Sequence, residues 1–149
     1  MSLEQELKRD FECPYHRLSA NLVYAFGWIN DLYYHKLSKF GITTNQFNVL
    51  RILNGYYPNS ATINELRECM PEKHSDTSRL VERLREKNYL ERVIDPDDRR
   101  KAKVKITSKG KKLIEKIENE EENWLDLLRK LSQDEAEKLN ELLDKLRDG

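Results

Sequence analysis

The sequence predicts a mainly α (α+β) protein in which four helices precede a two-stranded β-hairpin and two further helices follow it. Three observations predict this fold class. Apolar residues recur at steps of three and four over most of the 149 residues, as they do on one face of an amphipathic helix. Capping boxes, in which Ser or Thr is followed three residues later by Gln or Glu, begin at Thr43, Thr62 and Ser132. The run from Ala102 to Ile106 instead alternates apolar residues with lysine, which is typical of a strand.

The first long helix is predicted over residues 15–40, and Gly41 ends it. Its apolar side chains fall on one face, and they are Leu18, Leu22, Ala25, Ile29, Leu32 and Phe40. The second helix begins with the capping box at Thr43 and stops near Tyr57-Pro58-Asn59, where proline and asparagine favour a turn.

Two shorter helices are predicted over Thr62–Cys69 and Ser75–Lys87, and a pair of this kind indicates a helix-turn-helix. In that motif the second helix lies in the major groove of DNA, with its first residues at the base edges. Short polar side chains at its start and arginines on its exposed face are therefore candidate DNA contacts. They are Ser75, Asp76, Thr77, Ser78, Arg79 and Arg83. Asn88 tolerates the left-handed conformation that closes a helix.

A β-hairpin follows, with strands predicted over Tyr89–Ile94 and Ala102–Ile106 and a turn over residues 95–101. The alternation in the second strand predicts three buried side chains and two exposed ones. The buried ones are Ala102, Val104 and Ile106, and the exposed ones are Lys103 and Lys105.

The turn of this hairpin carries the densest charge of the sequence. Its tip is Arg99-Arg100-Lys101, and a narrow minor groove accepts an inserted arginine because negative potential is concentrated there. Asp98 can hold the Arg100 guanidinium in a fixed fork, and Pro96 stiffens the loop. A basic hairpin beside a helix-turn-helix predicts a winged helix that binds DNA.

The last two helices are predicted from Thr107 to Leu131 and, after the capping box at Ser132, to the end of the chain. Their apolar positions are Leu113, Ile117, Trp124, Leu128 and Leu131, then Ala136, Leu139, Leu143 and Leu146. Because charged residues make up 36% of the chain, the apolar faces are narrow, and we expect part of them to pack against a partner chain.

The net charge is zero, but the two signs are segregated along the chain. Residues 73–112 carry 14 basic and 7 acidic side chains, whereas residues 113–149 carry 6 basic and 12 acidic ones. A basic middle is typical of a segment that binds a polyanion, and a solvated lysine-rich face is the alternative. No apolar run reaches the roughly 20 residues of a membrane span, and no signal peptide precedes the first charged residues. We therefore expect a cytoplasmic protein with no membrane partner.

Three stretches resemble the MarR family of bacterial and archaeal repressors. Residues 95–100 and 104–110 resemble the wing of that family and the Thr-x-x-Gly turn that follows it, and residues 78–84 are similar to its recognition helix. The helix order and helix lengths match over nearly the whole chain. Asn88 stands where the family usually has glycine, and asparagine tolerates the same backbone.

The resemblance implies a sequence-specific regulator of transcription that binds double-stranded DNA, acting as a repressor and as a homodimer on a palindromic operator. Residues 1–41 and 112–149 would be intertwined dimerisation helices, and residues 42–111 the winged helix-turn-helix. Arg100 would enter the minor groove, braced by Asp98.

An enzyme is not expected, because the sequence has no Ser-His-Asp order, glycine-rich phosphate loop or HExxH motif, and no cofactor is expected either. A winged helix used only for protein contacts is the alternative, although such a module has no need of the basic tip.

The resemblance also implies an effector pocket between the dimerisation helices and the DNA-binding part, most often for a small aromatic acid. Tyr24, Trp28 and Phe47 fit a hydrophobic lining of that pocket, and packing in the core and the dimer is the alternative. Cys13 lies where hydroperoxide-sensing relatives carry a reactive cysteine. A reactive thiol needs a cation or a helix N-terminus beside it, which a helix beginning at Pro14 supplies, and an ordinary thiol is the alternative.

The second cysteine and the histidines suggest no metal site. Cys69 lies on an apolar helix face and is predicted to belong to the core. Cys13-x-x-His16 with Glu12 could begin a metal site, but the remaining cysteine and histidines are not spaced to complete one. No metal is therefore predicted.

Overall fold

The computed structural model describes residues 2–95, 97–98, 102–120 and 125–148. Its helices are α1 (Leu3–Leu7), α2 (Pro14–Ser38), α3 (Thr44–Tyr56), α4 (Ile63–Cys69), α5 (Thr77–Glu86), α6 (Ser108–Glu118), α7 (Leu125–Leu128) and α8 (Gln133–Arg147). Its strands are β1 (Ala61–Thr62), β2 (Leu90–Ile94) and β3 (Ala102–Ile106), and they form an antiparallel sheet in the order β1-β3-β2. The predicted mainly α (α+β) fold with its hairpin is confirmed.

The three predicted capping boxes are present and fix the starts of α3, α4 and α8. At the start of α3, the Thr43 hydroxyl accepts a hydrogen bond from the Gln46 backbone N–H at 3.2 Å. The Gln46 side-chain oxygen in turn accepts from the Thr43 backbone N–H at 3.0 Å. This exchange satisfies two backbone donors that the first turn of a helix leaves open.

One helix at the N-terminus was not predicted. The helix α1 is five residues long and buries a single residue, Leu3, so it carries no apolar periodicity that a sequence pattern would reveal. It lies against α2, where Arg17 donates to Glu4 at 2.5 Å and the Tyr24 hydroxyl donates to Glu6 at 3.1 Å. The pKa of Glu4 is lowered to about 2, chiefly by the hydrogen bond from Arg17.

The hairpin differs from the prediction in its number of strands and in the burial of Ala102. The strand β1 extends it to three strands by pairing Ala61 with Val104, and its two residues are too few to show an alternation. Ala102, predicted to be buried, is exposed, because it pairs with Ile94 at the end of the hairpin, where Ile94 itself is 76% exposed. Val104 and Ile106 are buried as predicted.

The predicted helix from Thr107 to Leu131 is interrupted. The helix α6 ends at Glu118 with Asn119 as its C-cap, and α7 is a separate short helix. Leu128 and Leu131 of this region are exposed, and Trp124 lies outside the described residues.

The hydrophobic core lies between α3, α4, α5, α6 and one face of the sheet, and Leu37 near the end of α2 joins it. By contrast, α2 and α8 leave large apolar side chains exposed. In α2 these include Val23, Phe26 and Tyr34, and in α8 they are Leu139, Leu142 and Leu146. None of the residues of α8 is buried, although the whole helix is described. The core of this chain therefore leaves both long terminal helices with an uncovered apolar face.

Within the described residues, the helices lack the combination of length and apolarity that a membrane crossing requires.

Candidate nucleic-acid interface

The helix α5 has one buried face and one exposed basic face. Val81 and Leu84 are buried in the core, whereas Ser78, Arg79 and Arg83 are exposed. Neither arginine side chain shares an ion pair with any residue in the described part of the chain. Helix periodicity places Arg79 and Arg83, four residues apart, on the same side of α5. The two guanidinium groups are therefore available to a ligand outside the protein.

The helix α5 begins at Thr77, two residues after the predicted start at Ser75. Asp76 is the N-cap, and its carboxylate accepts a hydrogen bond from the Arg79 backbone N–H at 3.1 Å. Asp76 therefore serves to cap the helix. Ser75 is half-buried, and its backbone N–H donates to the Glu72 carbonyl at 3.2 Å.

Thr77 was predicted to contact DNA, and the structure corrects this expectation. The residue is 1% exposed, so its side chain cannot reach a partner outside the protein in this conformation. Its hydroxyl and that of Ser75 are buried, and neither has a hydrogen-bond partner among the residues that the structure describes. The sequence could have predicted this burial. Thr77 lies four residues before Val81 and seven before Leu84, so the three side chains share the buried face of the helix.

Glu82 of α5 forms two ion pairs, one of which connects this helix to the hairpin. Glu82 pairs with Arg85 on the same helix at 2.5 Å and with Arg92 of β2 at 3.1 Å. The hydrogen bond from Arg85 is the largest cause that lowers the pKa of Glu82. This link between α5 and β2 was not predicted, because it joins residues whose neighbourhood only the fold determines. It links the helix to the strand that leads into the wing.

Asp95 connects several groups at the base of the wing, and the sequence did not predict this role. Its carboxylate pairs with Lys103 across the hairpin at 2.7 Å and accepts hydrogen bonds from the backbone N–H groups of Asp97 at 2.9 Å and Asp98 at 3.4 Å. Asp95 is 7% exposed, and Lys103, predicted to be exposed, is half-buried because of this pair. The hydrogen bond from Lys103 is the main reason why the pKa of Asp95 is lowered to about 2.

The tip of the wing lies outside the described residues. Pro96, Arg99, Arg100 and Lys101 belong to it, so the predicted fork between Asp98 and Arg100 stays a prediction. Asp98 itself is half-buried, with its backbone held by Asp95. The structure thus describes the two ends from which the tip extends.

The Asp95 pair predicts a specific pH dependence. The folded pKa of Asp95 lies below its ordinary value of 3.8, so its stabilising contribution is fully present above about pH 4 and is lost as the pH falls towards 2. Asp95→Asn should therefore be less stable than wild type at neutral pH, and the difference should shrink as the pH falls through this range. Urea denaturation from pH 2 to 7 measures it. Parallel stability profiles for the two proteins would show that Asp95 does not act in this way.

A compact junction joins the end of α5 to the start of α6. The Thr107 hydroxyl donates to the Asn88 carbonyl at 2.7 Å and accepts from the Gly110 backbone N–H at 3.1 Å. Asn88 has a φ of 62°, which confirms the predicted left-handed closure of α5. A Cβ atom on Gly110 would lie 2.2 Å from the Tyr89 carbonyl oxygen, so the Thr-x-x-Gly turn requires glycine there. This packing fixes where the helix ends relative to the hairpin.

The residues predicted to line an effector pocket lie in different surroundings in the described part of the chain. Phe47 is fully buried in the core, Tyr24 contacts Glu6 of α1, and Trp28 is partly exposed on α2. A cavity of about 410 Å³ lies instead between α2, α3 and the segment after α4. Its walls include Phe26, Ile29 and Tyr33 of α2, Asn45 and Asn48 of α3, and Glu72.

The two cysteines lie in different settings. Cys13 is the half-buried N-cap residue of α2 and makes no side-chain capping hydrogen bond. Cys69, predicted to be core, is exposed, because the apolar face of the short helix α4 is buried through Leu66 while Cys69 is its last residue. Within the described ranges, His, Cys, Asp and Glu side chains form no group of three that could hold a metal ion.

Comparison of the sequence with known proteins identifies relatives of this chain. Residues 40–101, which span α3 to the wing, match the model of the MarR family. The uncharacterized HTH-type transcriptional regulator YsmB of Bacillus subtilis (strain 168) is 32% identical over 89 residues, which are 60% of this chain and 60% of YsmB. The chain thus spans less than two thirds of the length of that relative.

Solved structures extend the similarity to almost the whole chain. A mutant of MarR from E. coli complexed with operator DNA is 27% identical, with a TM-score of 0.76 over 98% of this chain and 99% of that one. Wild-type MarR from E. coli in its apo form is 28% identical, with a TM-score of 0.68 over 91% of this chain and 98% of that one. Together, the match over residues 40–101 and the similarity to MarR in sequence and fold show that this chain has a winged helix-turn-helix fold and is similar to the transcription regulators of the MarR family.

Proposed function

We propose that this protein is a transcriptional repressor that binds double-stranded DNA in a sequence-specific manner, as a homodimer on a palindromic operator. The observation that carries the proposal is the exposed face of α5, where Arg79 and Arg83 have no ion-pair partner in the described structure. The similarity to MarR in complex with operator DNA supports this reading, because it extends over nearly the full length of both chains.

The second part of the proposal concerns the wing. Arg100 would enter the minor groove with Asp98 bracing it, while Arg99 and Lys101 contact the sugar-phosphate backbone. The ion pair between Asp95 and Lys103 supports this arrangement, because it holds together the two ends of the hairpin from which the tip extends. A rigid base limits the conformational freedom that the tip loses on binding.

Substitution of the two exposed arginines tests DNA binding. Arg79→Ala and Arg83→Ala should each weaken binding to the promoter fragment next to the gene by on the order of 1–3 kcal/mol, the value of a good arginine contact to a base. Fluorescence anisotropy with labelled DNA measures the loss. Arg129→Ala is the matched control, since it removes one exposed arginine that follows α7, where Arg129 pairs with Asp126.

The same titration tests the wing. Arg100→Ala should lose affinity most at sites with A/T-rich flanks, and Asp98→Ala should lose less. If all four variants bind as tightly as Arg129→Ala, the protein does not use these surfaces on DNA. A winged helix that serves protein contacts would then be the better interpretation.

The homodimer is supported by the uncovered apolar faces of α2 and α8. Exposed apolar surface of this kind marks an interface, and a two-fold dimer would bury it on both copies, except for the part of α2 that lines the cavity beside α3. Such a dimer would set the two α5 helices about 34 Å apart, one turn of DNA.

Charge introduced at this surface should separate the subunits. The wild type should sediment at twice the monomer mass of 17.8 kDa, whereas Leu142→Glu should shift it towards the monomer and weaken DNA binding. Glu141→Gln, a change at the adjacent position of α8, is the control. A wild-type monomer at micromolar concentration would refute the homodimer.

The last part of the proposal is a small-molecule effector that lowers DNA affinity. A ligand releases DNA only to the extent that it prefers the arrangement that does not bind DNA. The cavity beside α2 and α3 supports this part, because it adjoins the segment that leads into α5.

A further inference from the structure

The cavity between α2, α3 and the segment after α4 has an aromatic wall and an acidic edge. We propose that it binds an organic monocation with an apolar body. This inference rests on the proposed function, because it names the chemical class of the effector. It departs from the small aromatic acid that the family resemblance implies.

The apolar wall comes from one face of α2. Phe26, Ile29 and Tyr33 recur at steps of three and four, so their side chains lie along one stripe beside the cavity. The volume of about 410 Å³ falls in the range typical of small-molecule sites. Two aromatic rings on this wall favour a cation, because the faces of aromatic rings carry negative potential.

The opposite side of the cavity supplies the charge. Asn45 and Asn48 of α3 contribute amides, and Glu72 is the charged side chain among the residues that line the cavity in the described part of the chain. A carboxylate at this edge attracts a cation and repels a carboxylate ligand. Arg51 borders an adjacent cavity of about 280 Å³ that shares Asn48 with this one. The positive end of the ligand is therefore directed to Glu72 and away from Arg51.

The position of Glu72 connects this cavity to the recognition helix. The Asn45 side-chain amide donates to the Glu72 carboxylate at 2.5 Å, and the Ser75 backbone N–H donates to the Glu72 carbonyl at 3.2 Å. The next residue, Asp76, caps α5. A cation that competes with Asn45 for Glu72 thus acts on the segment that sets the start of α5.

The test uses the full-length protein and two probes of similar size and opposite charge. Benzyltrimethylammonium and phenylacetate are titrated at constant ionic strength, and calorimetry measures their binding. We expect the cation to bind at least ten times more tightly than the anion. Glu72→Gln keeps an oxygen acceptor for Asn45 but removes the charge, so it should weaken cation binding about tenfold. Arg51→Gln removes the nearby positive charge, so it should leave cation binding unchanged or strengthen it.

Tighter binding of phenylacetate, binding of neither probe, or equal cation affinity in wild type and Glu72→Gln would overturn the proposal. A separate titration with the promoter fragment distinguishes this failure from failure of the proposed function. If the protein binds DNA but not the cation, the proposed ligand site is rejected and the proposed repressor function stands. If the protein binds the cation but not DNA, the repressor function is rejected and the ligand site stands. Release of DNA by the cation from wild type, but not from Glu72→Gln, is the result we expect.

Discussion

Gly110→Ala is expected to lower the free energy of unfolding by about 3 kcal/mol, because an overpacked site forces the backbone to shift. The added Cβ would lie 2.2 Å from the Tyr89 carbonyl oxygen and 2.8 Å from Cγ1 of Ile106. The first of these neighbours is backbone and cannot rotate away. It also belongs to the junction that holds the start of β2 against α6, because the Thr107 backbone N–H donates to the same oxygen at 3.1 Å. The substitution should therefore separate the wing from α6.

Urea denaturation measures this loss, and Gly55→Ala provides the control. A Cβ on Gly55 of α3 meets no atom within 4 Å, so this substitution should be neutral or should stabilise the helix by about 0.5–1 kcal/mol. DNA binding at a temperature where both variants remain folded gives a second measurement. If Gly110→Ala were as stable as Gly55→Ala, the close approach at the junction would not exist in solution.

Phe47→Ala is expected to cost about 3–5 kcal/mol, the usual range for removing a fully buried phenylalanine ring. Phe47 has no exposed surface, and its neighbours Val49, Leu50 and Leu53 on α3 are equally buried. The loss combines the transfer of the ring from the core with the cavity that remains. A role in ligand binding would give a different result, namely weaker ligand affinity with little change in stability.

Thermal or chemical denaturation of three variants makes this comparison. Phe47→Leu should retain most of the stability because a large apolar side chain still fills the site. Ile94→Ala removes an apolar side chain that is 76% exposed, so it should change stability by no more than about 0.5 kcal/mol. Equal stability of Phe47→Ala and Ile94→Ala would place the ring outside the core.

Local signals in the sequence were sufficient to predict most of the helices and strands. The capping boxes at Thr43, Thr62 and Ser132 place donor and acceptor three residues apart, so their geometry depends only on the chain nearby. The same holds for Asn88, whose tolerance of a left-handed backbone is intrinsic to the residue. These features favour particular helix starts and ends independently of the tertiary contacts.

The features that the sequence did not predict depend on which surfaces come together. The pair between Asp95 and Lys103 requires the register of the hairpin, and the exposure of Ala102 depends on how far the hairpin extends past the core. A phenylalanine suits a hydrophobic core and a hydrophobic ligand pocket equally well, so the residue type of Phe47 does not distinguish between these two roles. Only the packing of α3 against the rest of the core decides its role.

The ion pairs near α5 reduce the number of cations that are expected to leave DNA when the protein binds it. Of the 14 basic side chains in residues 73–112, Arg85, Arg92 and Lys103 already share carboxylates within the protein. Affinity for duplex DNA falls with salt because each phosphate neutralised by the protein releases condensed cations, at roughly 0.9 per contact. A side chain that keeps its internal partner displaces none of them. The number of counterions released should therefore follow the exposed, unpaired arginines and the wing tip, and it should be well below the number that a count of basic residues suggests.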